Sequence, residues 1–460
     1  MKICDETVRA AVDSGLSSVH LDAAQKQAIL AQCRPSVAVR RPLRPVRRVL
    51  ALAACFALVL AVGSGVLAAA PELKQKLAVL GEQTIRQLQP VNQTSEDQGV
   101  RMEVLAAVTD GQVAAVYLSL KDTAGLGRIG PDAEMYTPEI SGAFFTRSEV
   151  VDYDEAAGAA ILRLTGDGSR QLAGKKITVS TTSITSGLNF NDPVDTGYTM
   201  AQVQQLAAGT QVEYRAEHHA WSSTGPDMER YGELVDTGRM ATLIGWGETL
   251  ELPGVDWANV NAAAVVDGQL HIQVNQLGGM GQVNRLSFGL VDEAGQEVDC
   301  TELELELGQD HDLGVFRSYN DLVEYVLIPP AGYDMADLHV MLETMTYDQF
   351  IQGQWSTTFL LEEAARSLNI ACDVDMKPWR LTSVQVSPIA VTATGSGEMT
   401  VDSLSADLEV WLADGTRVES SSASLQAGDE EIITRYIFDQ VIDIDQVAKV
   451  TLNGEELPLP

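Results

Sequence analysis

The sequence predicts a mainly β protein, in which tandem β-sandwich modules of the immunoglobulin-like kind follow a short helical N-terminal tail and one transmembrane helix. Two observations support this fold class. An apolar run without a charged residue covers residues 49–70. From residue 99 onwards, apolar residues recur with a period of two and are separated by Asp-Gly turns, the pattern of half-buried antiparallel strands.

Charge is distributed unevenly along the 460 residues. The chain has 31 Lys and Arg against 64 Asp and Glu, a formal net charge of −33. Residues 1–48 hold nine of the basic and four of the acidic residues, a net +5, which leaves 22 basic and 60 acidic residues, a net −38, for residues 49–460. Because residues 49–460 are so acidic, they would repel the phosphates of a nucleic acid. We therefore expect no direct nucleic-acid binding.

The apolar run at 49–70 is long enough to cross a bilayer. Its 22 residues would extend about 33 Å as a helix, against a hydrocarbon core of ~30 Å. Five arginines stand before it: Arg40, Arg41, Arg44, Arg47 and Arg48. Such a cluster retains the preceding segment in the cytoplasm. We therefore predict a single-pass cell-membrane protein with a cytoplasmic N-terminus and an extracellular C-terminal region.

A cleaved signal peptide is the competing interpretation of this run, because Ala68, Ala69 and Ala70 offer small residues of the kind found at cleavage sites. Two features favour an anchor. The segment before the run would be 48 residues long, and the run exceeds the ~7–15 apolar residues usual for a signal peptide. The lipid bilayer is therefore an expected partner of residues 49–70.

The tail at 1–48 carries two short helical patterns. Asp5 can cap a helix that Gly15 ends, and Asp22 can cap a second helix that stops before Pro35. Helices of roughly ten residues cannot bury a core of their own, so they need a partner or stay partly disordered. Four apolar residues at helical spacing are the candidate partner-binding residues: Val8, Val12, Ile29 and Leu30.

Residues 71–98 are predicted to form a stalk helix followed by a linker. The leucines of the helical part recur at near-helical spacing: Leu73, Leu77, Leu80 and Leu88. Pro90 ends this pattern. The polar residues 91–98 are expected to form a flexible link.

Three β domains are predicted after this linker: one at 99–257 with an irregular insertion at 191–254, a second at 258–377 and a third at 378–460. The first two are interpreted as diverged copies of one β unit. AAVTDGQV at 106–113 matches AAVVDGQL at 263–270 at an offset of 157 residues. Chance similarity between two hairpins is the alternative.

The cysteines of this chain do not indicate a disulfide framework. Of five in all, only Cys300 and Cys372 lie beyond the apolar run, and no pair has Cys-x-x-Cys spacing. We expect these two thiols to remain free, because they fall in different strand contexts. Packed cores, rather than bridges, must then stabilise the β domains.

No familiar catalytic motif occurs in the sequence. The patterns His-Glu-x-x-His, Gly-x-Ser-x-Gly and Ser-x-x-Lys are missing, as are the phosphate-binding glycine patterns. Asp373 and Asp375 could attract calcium, but they lack the ladder of a dedicated loop and are more simply an acidic turn. Six tryptophans could form a sugar-binding face but are more simply core: Trp221, Trp246, Trp257, Trp355, Trp379 and Trp411. We predict a non-enzymatic protein without catalytic residues, cofactor or metal.

Five passages resemble a family of Gram-positive single-pass membrane proteins with a domain of unknown function, which are described as anti-sigma factors. They are LDAAQKQAIL at 21–30, EVLAAVTDGQVAAVYLSLKD at 103–122, TTSITSGLNFNDPVDTGY at 181–198, VSPIAV at 386–391 and IDIDQVAKVTLNGEELPL at 442–459. The resemblance implies that the tail docks an extracytoplasmic-function sigma factor. It also implies that the outer domains either sense a stimulus or have a supporting, structural role. The tail departs from zinc anti-sigma domains, because His20, Cys4 and Cys33 lack the His-x3-Cys-x2-Cys spacing.

Three functional hypotheses follow. The first is a membrane-anchored signalling protein whose tail binds a cytoplasmic sigma factor. The alternative is a membrane-tethered envelope module that binds a cell-wall polymer or a surface protein, with a tail that only sets topology. A surface hydrolase with an unrecognised carboxylate pair is a third hypothesis, which no residue singles out.

Overall fold

The computed structural model describes most of the chain beyond residue 70. The described residues are 71–168, 171–207, 210–214, 220–244, 250–276, 283–307, 322–362, 365–376, 379–397, 407–420, 422–427 and 431–460. The tail at 1–48 and the predicted transmembrane segment at 49–70 lie outside them. Among the described residues, no helix is both long and apolar enough to span a membrane.

The first described residues form two short helices, where the sequence predicts one stalk helix. These are α1 (Pro71–Lys76) and α2 (Gly81–Gln87), with a 3-10 turn at Ala78–Leu80 between them. Gly81 lies at the break and has a φ of +78°, a backbone conformation that glycine adopts at no steric cost. The apolar side chains of this segment are buried against the β region: Leu73, Leu77, Ile85 and Leu88.

A strand, β1 (Gln89–Asp97), occupies the position predicted to be a flexible linker at 91–98. It pairs antiparallel with the next strand, and Val91 is buried. The polar residues that suggested a linker have structural roles. Ser95 Oγ accepts a hydrogen bond from the Ser356 N–H at 3.1 Å, and Asp97 Oδ2 accepts one from the Gln354 N–H at 2.7 Å. These side chains cap an otherwise open strand edge.

The mainly β fold class is confirmed: antiparallel strands dominate the described chain. The next strands are β2 (Val100–Thr109), β3 (Val113–Asp122), β4 (Glu134–Met135), β5 (Glu139–Ile140), β6 (Phe145–Asp154), β7 (Ala159–Asp167) and β8 (Lys176–Thr199). They are followed by α3 (Met200–Leu206), β9 (Gln211–Tyr214), β10 (Ala220–Thr224), α4 (Met228–Asp236), β11 (Ala241–Ile244), β12 (Ala258–Val266), β13 (Gln269–Gln276), β14 (Arg285–Val291), β15 (Thr301–Glu306), β16 (Leu322–Ile328) and β17 (His339–Leu360).

The first β unit is a sandwich. One layer, the first sheet, has the strand order β1-β2-β3-β7-β6. It packs on β4, β5, the first half of β8 and the second half of β17. Trp355 of β17 lies in this core, 1% exposed, and donates its indole N–H to Val100 O at 2.8 Å. Trp257 and Trp379 are likewise buried core residues, whereas Trp246 lies outside the described residues.

The second β unit repeats the four-strand order β2-β3-β7-β6 as β12-β13-β16-β15, and its fifth strand, β10, lies at the edge opposite to that of β1. Its layer, the second sheet, has the order β12-β13-β16-β15-β10 and packs on β14, the first half of β17 and the segment around α3. Phe288 of β14 and Tyr325 of β16 meet edge to face in this core, with ring centroids 5.3 Å apart. The sequence places an irregular insertion at 191–254, but β8 continues to Thr199 before α3 begins.

Two long strands join the units. β8 and β17 run antiparallel side by side, from Lys176 opposite Leu360 to Thr199 opposite His339, in a shared sheet of order β14-β17-β8-β4. The first half of each strand covers the core of its own unit, and the second half extends over the other unit. The two units are therefore interlaced and do not form separate, consecutive domains.

The strand pairing indicates that the units are related by an offset of 156 residues, not 157. The β2–β3 ladder shifts register between Val104 and Ala106, and the β12–β13 ladder shifts between Val260 and Ala262. Because side chains alternate along a strand, an error of one position exchanges the two faces of the sheet. Aligning the matching sequences at 106–113 and 263–270 thus superimposes the Asp-Gly turns. It also places residues of one face of the first sheet opposite residues of the other face of the second sheet.

The C-terminal module is a third sandwich. Its strands are β18 (Leu368–Asp375), β19 (Trp379–Val386), β20 (Ala390–Gly397), β21 (Leu408–Leu412), β22 (Ser422–Ala427), β23 (Ile432–Ile437), β24 (Val447–Leu452) and β25 (Glu455–Leu457), with a 3-10 turn at Ile444–Gln446. A sheet of order β18-β19-β20-β23-β22 opposes β21-β24-β25 across an apolar core. The predicted start at residue 378 divides this module, because β18 is its first strand. All three sandwiches belong to one compact unit.

Candidate functional site

The site residues predicted from the sequence lie outside the described residues: Val8, Val12, Ile29, Leu30, Arg40, Arg41, Arg44, Arg47 and Arg48. Within the described residues, three distant parts of the chain meet at the outer face of the first sheet. We call the contact between α1–α2, this face and the C-terminal module the junction.

The junction has a continuous apolar core. The helices contribute Leu77, which is fully buried, and the sheet contributes Tyr117 at 1% exposed. From the C-terminal module come Ile389 and Ile437, at 0% and 5% exposed. Burying a large apolar side chain contributes roughly 1.5–3 kcal/mol, so this core holds the helices and the module firmly on the sheet.

Side-chain hydrogen bonds fix the helices to the β region. Thr84 Oγ1 donates to Val441 O at 3.1 Å, and Gln87 Nε2 donates to Ile442 O at 3.0 Å. Lys76 Nζ at the end of α1 forms an ion pair of 2.7 Å with Glu103 of β2. The segment that follows the predicted membrane span therefore contacts both the first sheet and the C-terminal module.

A buried ion pair lies between the first sheet and the C-terminal module. Arg435 Nη1 of β23 is 3.2 Å from Asp167 Oδ1 of β7, and the two side chains are 1% and 2% exposed. Arg435 also donates to Gln112 Oε1 at 2.5 Å, and Ser424 Oγ donates to the second oxygen of Asp167. Each charge thus has several partners, which a buried ion pair requires if it is not to destabilise the fold.

Arg163 of β7 makes a second buried charged contact at the junction. Its guanidinium donates to Phe438 O at 2.6 Å and lies 3.4 Å from Glu149. The side chain is 1% exposed. A charged residue in the apolar strand AAILRLTGD at 159–167 is the one sequence feature that could have indicated this contact.

Asp110, in the first hairpin turn, completes the junction. Its Oδ1 accepts hydrogen bonds from the N–H groups of Gln112 and Val113, and its Oδ2 accepts one from Ser387 Oγ at 2.9 Å. Burial raises the pKa of the Asp110 carboxyl, and these hydrogen bonds together with Arg435 oppose the shift. One turn residue therefore holds both the hairpin and the C-terminal module.

The junction is packed rather than hollow. A cavity of about 10 Å³, lined by Arg163, Phe438 and their neighbours, lies where β6 and β7 meet the module. That is the space of about one water molecule. This packing suits mechanical coupling between the parts of the chain that meet at the junction.

A cleft of about 320 Å³ in the C-terminal module is a second candidate site. Arg417 there pairs with Glu409 at 3.0 Å and with Glu419 at 3.1 Å. The hydrogen bond from Arg417 is the main reason that the pKa of Glu409 lies below its usual range. With Asp407, the lining has three carboxylates against one guanidinium, which favours a cationic or hydroxyl-rich ligand.

The described residues contain no group of three or more His, Cys, Asp or Glu placed to hold a metal ion. Asp373 forms an exposed ion pair with Arg380, whose hydrogen bonds lower the pKa of Asp373. Its carboxylate is therefore engaged in a strand-end ion pair. Cys300 and Cys372 are free thiols, as expected from their sequence contexts.

Comparisons with known proteins yield little. No family model matches the chain, and no curated protein is significantly similar to it. Among solved structures, the crystal structure of the conserved domain protein from Bacillus anthracis aligns over 81% of this chain and 78% of that chain, with 10% sequence identity and a TM-score of 0.31. A likeness at that TM-score supports no inference about this chain.

Proposed function

We propose that this chain is a membrane-anchored, non-enzymatic signalling protein, an anti-sigma factor. In this proposal residues 49–70 cross the cell membrane and the tail at 1–48 docks an extracytoplasmic-function sigma factor. The outer immunoglobulin-like β modules either sense a stimulus or have a supporting, structural role. The resemblance of five sequence passages suggested this role, and one structural observation supports it.

That observation is the packing of α1 and α2 into the junction. These helices directly follow the predicted span, and their buried leucines and hydrogen bonds attach them to the first sheet and the C-terminal module. A displacement of the outer modules would therefore reach the membrane segment without being absorbed by a flexible linker. Such direct attachment suits a receptor more than a simple tether.

The test uses the full-length protein carrying a C-terminal affinity tag, extracted in mild detergent. We expect a sigma factor to co-purify, and Ile29→Asp with Leu30→Asp to abolish its recovery. Losing large apolar anchors from a helix-in-groove contact typically weakens binding ~30- to 1000-fold. In cells, the same double variant should raise sigma-dependent transcription.

A matched control adds the same charge to the other face of the predicted helix. Ala24 and Ala31 lie opposite Ile29 and Leu30 at 3.6 residues per turn. Ala24→Asp with Ala31→Asp should retain the sigma factor and leave transcription low. If the wild-type protein retains no sigma factor and the apolar-face variant leaves transcription unchanged, the proposal fails.

The cleft of the C-terminal module favours the alternative function, an envelope module that binds a cell-wall polymer. Its size suits one or two sugar units, and its excess of carboxylates suits an amino sugar. Sedimentation of the protein with purified cell-wall glycan tests this alternative. Glu419→Gln should weaken co-sedimentation, whereas Glu455→Gln, an exposed change on β25, should not.

A further inference from the structure

Both β units have an outer face that another part of the chain covers. On the first sheet the cover is α1–α2 and the C-terminal module. On the second sheet it is the two-stranded sheet of β9 and β11, whose Leu243 packs on Ala262 and Ala264, together with α4. The covers have unrelated structures, yet they dock on equivalent faces of a duplicated unit.

A buried charged residue occupies the same position on each of these faces. Tyr117 of β3 lies opposite Arg163 of β7, and Gln273 of β13 lies opposite Glu324 of β16. Tyr117 and Gln273 are related by the offset of 156 residues, so Arg163 and Glu324 are structural equivalents. Their side chains are 1% and 0% exposed.

Each of the two charges binds a backbone group of its own cover. Arg163 Nη2 donates to Phe438 O of the C-terminal module at 2.6 Å. Glu324 accepts from the Leu243 N–H of β11, with distances of 3.2 and 3.0 Å to its two oxygens. The contacts have opposite polarity: a cation meets a carbonyl in one unit, and an anion meets an N–H in the other.

Neighbouring side chains of the second sheet contact Glu324 and hold its carboxylate in place. His271 Nδ1 lies 2.8 Å from Glu324 Oε1, and Gln273 Nε2 donates to Glu324 Oε2 at 3.1 Å. The same Gln273 amide donates to Leu243 O at 3.1 Å. Side chains of the second sheet thus satisfy both backbone groups of Leu243, as a neighbouring strand would. Asn261 in turn donates to Gln273 Oε1 and holds its amide in place.

We infer that the two outer faces are copies of one docking surface, and that Arg163 and Glu324 are positioning residues that select the cover by the polarity of its backbone group. A guanidinium facing an N–H, or a carboxylate facing a carbonyl, would place a buried charge against a backbone dipole of the wrong polarity, which is unfavourable. Each cover is therefore held by its own contact, so the two-stranded sheet of β9 and β11 can detach while the C-terminal module stays docked.

Hydrogen exchange of the full-length protein in detergent tests this inference. In Glu324→Leu, amides of β9 and β11 should exchange at least about 10-fold faster, while amides of β23 keep their wild-type rate. Glu324→Gln restores an acceptor for the Leu243 N–H and should bring the exchange back most of the way. Glu304→Gln, on the neighbouring strand β15 and the opposite face, should change neither region.

The reciprocal arm uses Arg163. In Arg163→Leu, amides of β23 should exchange at least about 10-fold faster while β9 and β11 do not change, and Arg163→Lys should largely restore protection. Either arm can overturn the inference alone. It fails if one variant loosens both covers equally, if either variant fails to loosen its own cover, or if the conservative variants do not rescue.

Discussion

The guanidinium of Arg435 and the carboxylate of Asp167 form a fully buried ion pair of 3.2 Å, although the two residues are 268 positions apart in the chain. The pair joins β23 of the C-terminal module to the last residue of β7 in the first sheet. Removing one partner of such a pair leaves the other charge desolvated and unpaired, and typically costs ~3–5 kcal/mol. We expect Asp167→Ala to lower the free energy of unfolding by about that amount in urea titrations.

A surface pair of the same chemistry provides the control. Arg366 and Asp445 lie 2.5 Å apart, with side chains 68% and 63% exposed. Exposed pairs contribute about 0–1 kcal/mol, so Asp445→Ala should lower the free energy of unfolding by no more than that. Equal losses in the two variants would mean that the Arg435–Asp167 pair does not hold the junction.

Two glycines with the same backbone angle should respond differently to alanine. Gly174 and Gly187 both have a φ of +74°. A Cβ at Gly174 would meet nothing within 4 Å, whereas a Cβ at Gly187 would lie 2.5 Å from Asp348 on β17. We expect Gly174→Ala to cost about 1 kcal/mol from backbone strain alone. Gly187→Ala should cost ~1–3 kcal/mol more, as measured by thermal or urea unfolding.

Asp122 should make the stability of the first unit depend on acid pH. Hydrogen bonds from Arg128 are the main reason that the pKa of this carboxyl lies well below its usual range, and backbone N–H groups of Ala124 and Arg128 add to the effect. A lowered native pKa contributes stability above the unfolded value of about 4, and this contribution is lost as the pH falls towards the native value. Asp122→Asn should therefore destabilise the protein at pH 7, and the difference from wild type should shrink steadily as the pH falls from about 4 towards 2. A pH-independent difference would contradict this assignment.

The thiols of Cys300 and Cys372 should differ in reactivity. Burial, reinforced by the charges of Glu302 and Asp299, raises the pKa of Cys300 to about 12. At pH 8 its thiolate population is then on the order of 10³ lower than that of an ordinary thiol. In iodoacetamide labelling followed by peptide mass spectrometry, half-buried Cys372 should react first, and Cys300 only after unfolding in urea. Equal rates in the native protein would count against the buried position of Cys300.

The local elements of the fold are predictable from the sequence. Asp267 and Gly268 have φ values of +51° and +81°, the two positive angles that a tight hairpin turn requires, and the Asp-Gly dipeptide predicts them. Alternating apolar residues likewise predict the strands on either side. These features depend only on neighbouring residues.

Longer-range features could not be predicted. Residues 191–199, with Pro193 and Gly197, were expected to be irregular, but they pair with β17 in a ladder that shifts register twice. The polar β1 is a strand because β2 and the backbone of β17 provide partners for it. Local propensity carries no information about a partner strand such as β17, which lies 140 or more residues away, so tertiary pairing overrides it.

The junction shows the same limit. The apolar strand around Arg163 could have indicated a buried charge, but the sequence around Arg435 gives no such sign, and its 1% exposure is known only from the structure. The tail residues Ile29 and Leu30 illustrate the opposite case. Their spacing indicates a binding helix from the sequence alone, and this stays a prediction because they lie outside the described residues.

The interlacing of β8 and β17 has a consequence for biosynthesis. The core of the first unit needs Trp355 and Phe359, which the ribosome adds long after it has completed β2 and β3. No separately stable first unit can therefore assemble while the chain emerges, and loop closure over such distances is slow. Until residue 360 has been made, the nascent chain exposes the apolar edge of β8, so its maturation depends on whatever shields that edge from aggregation.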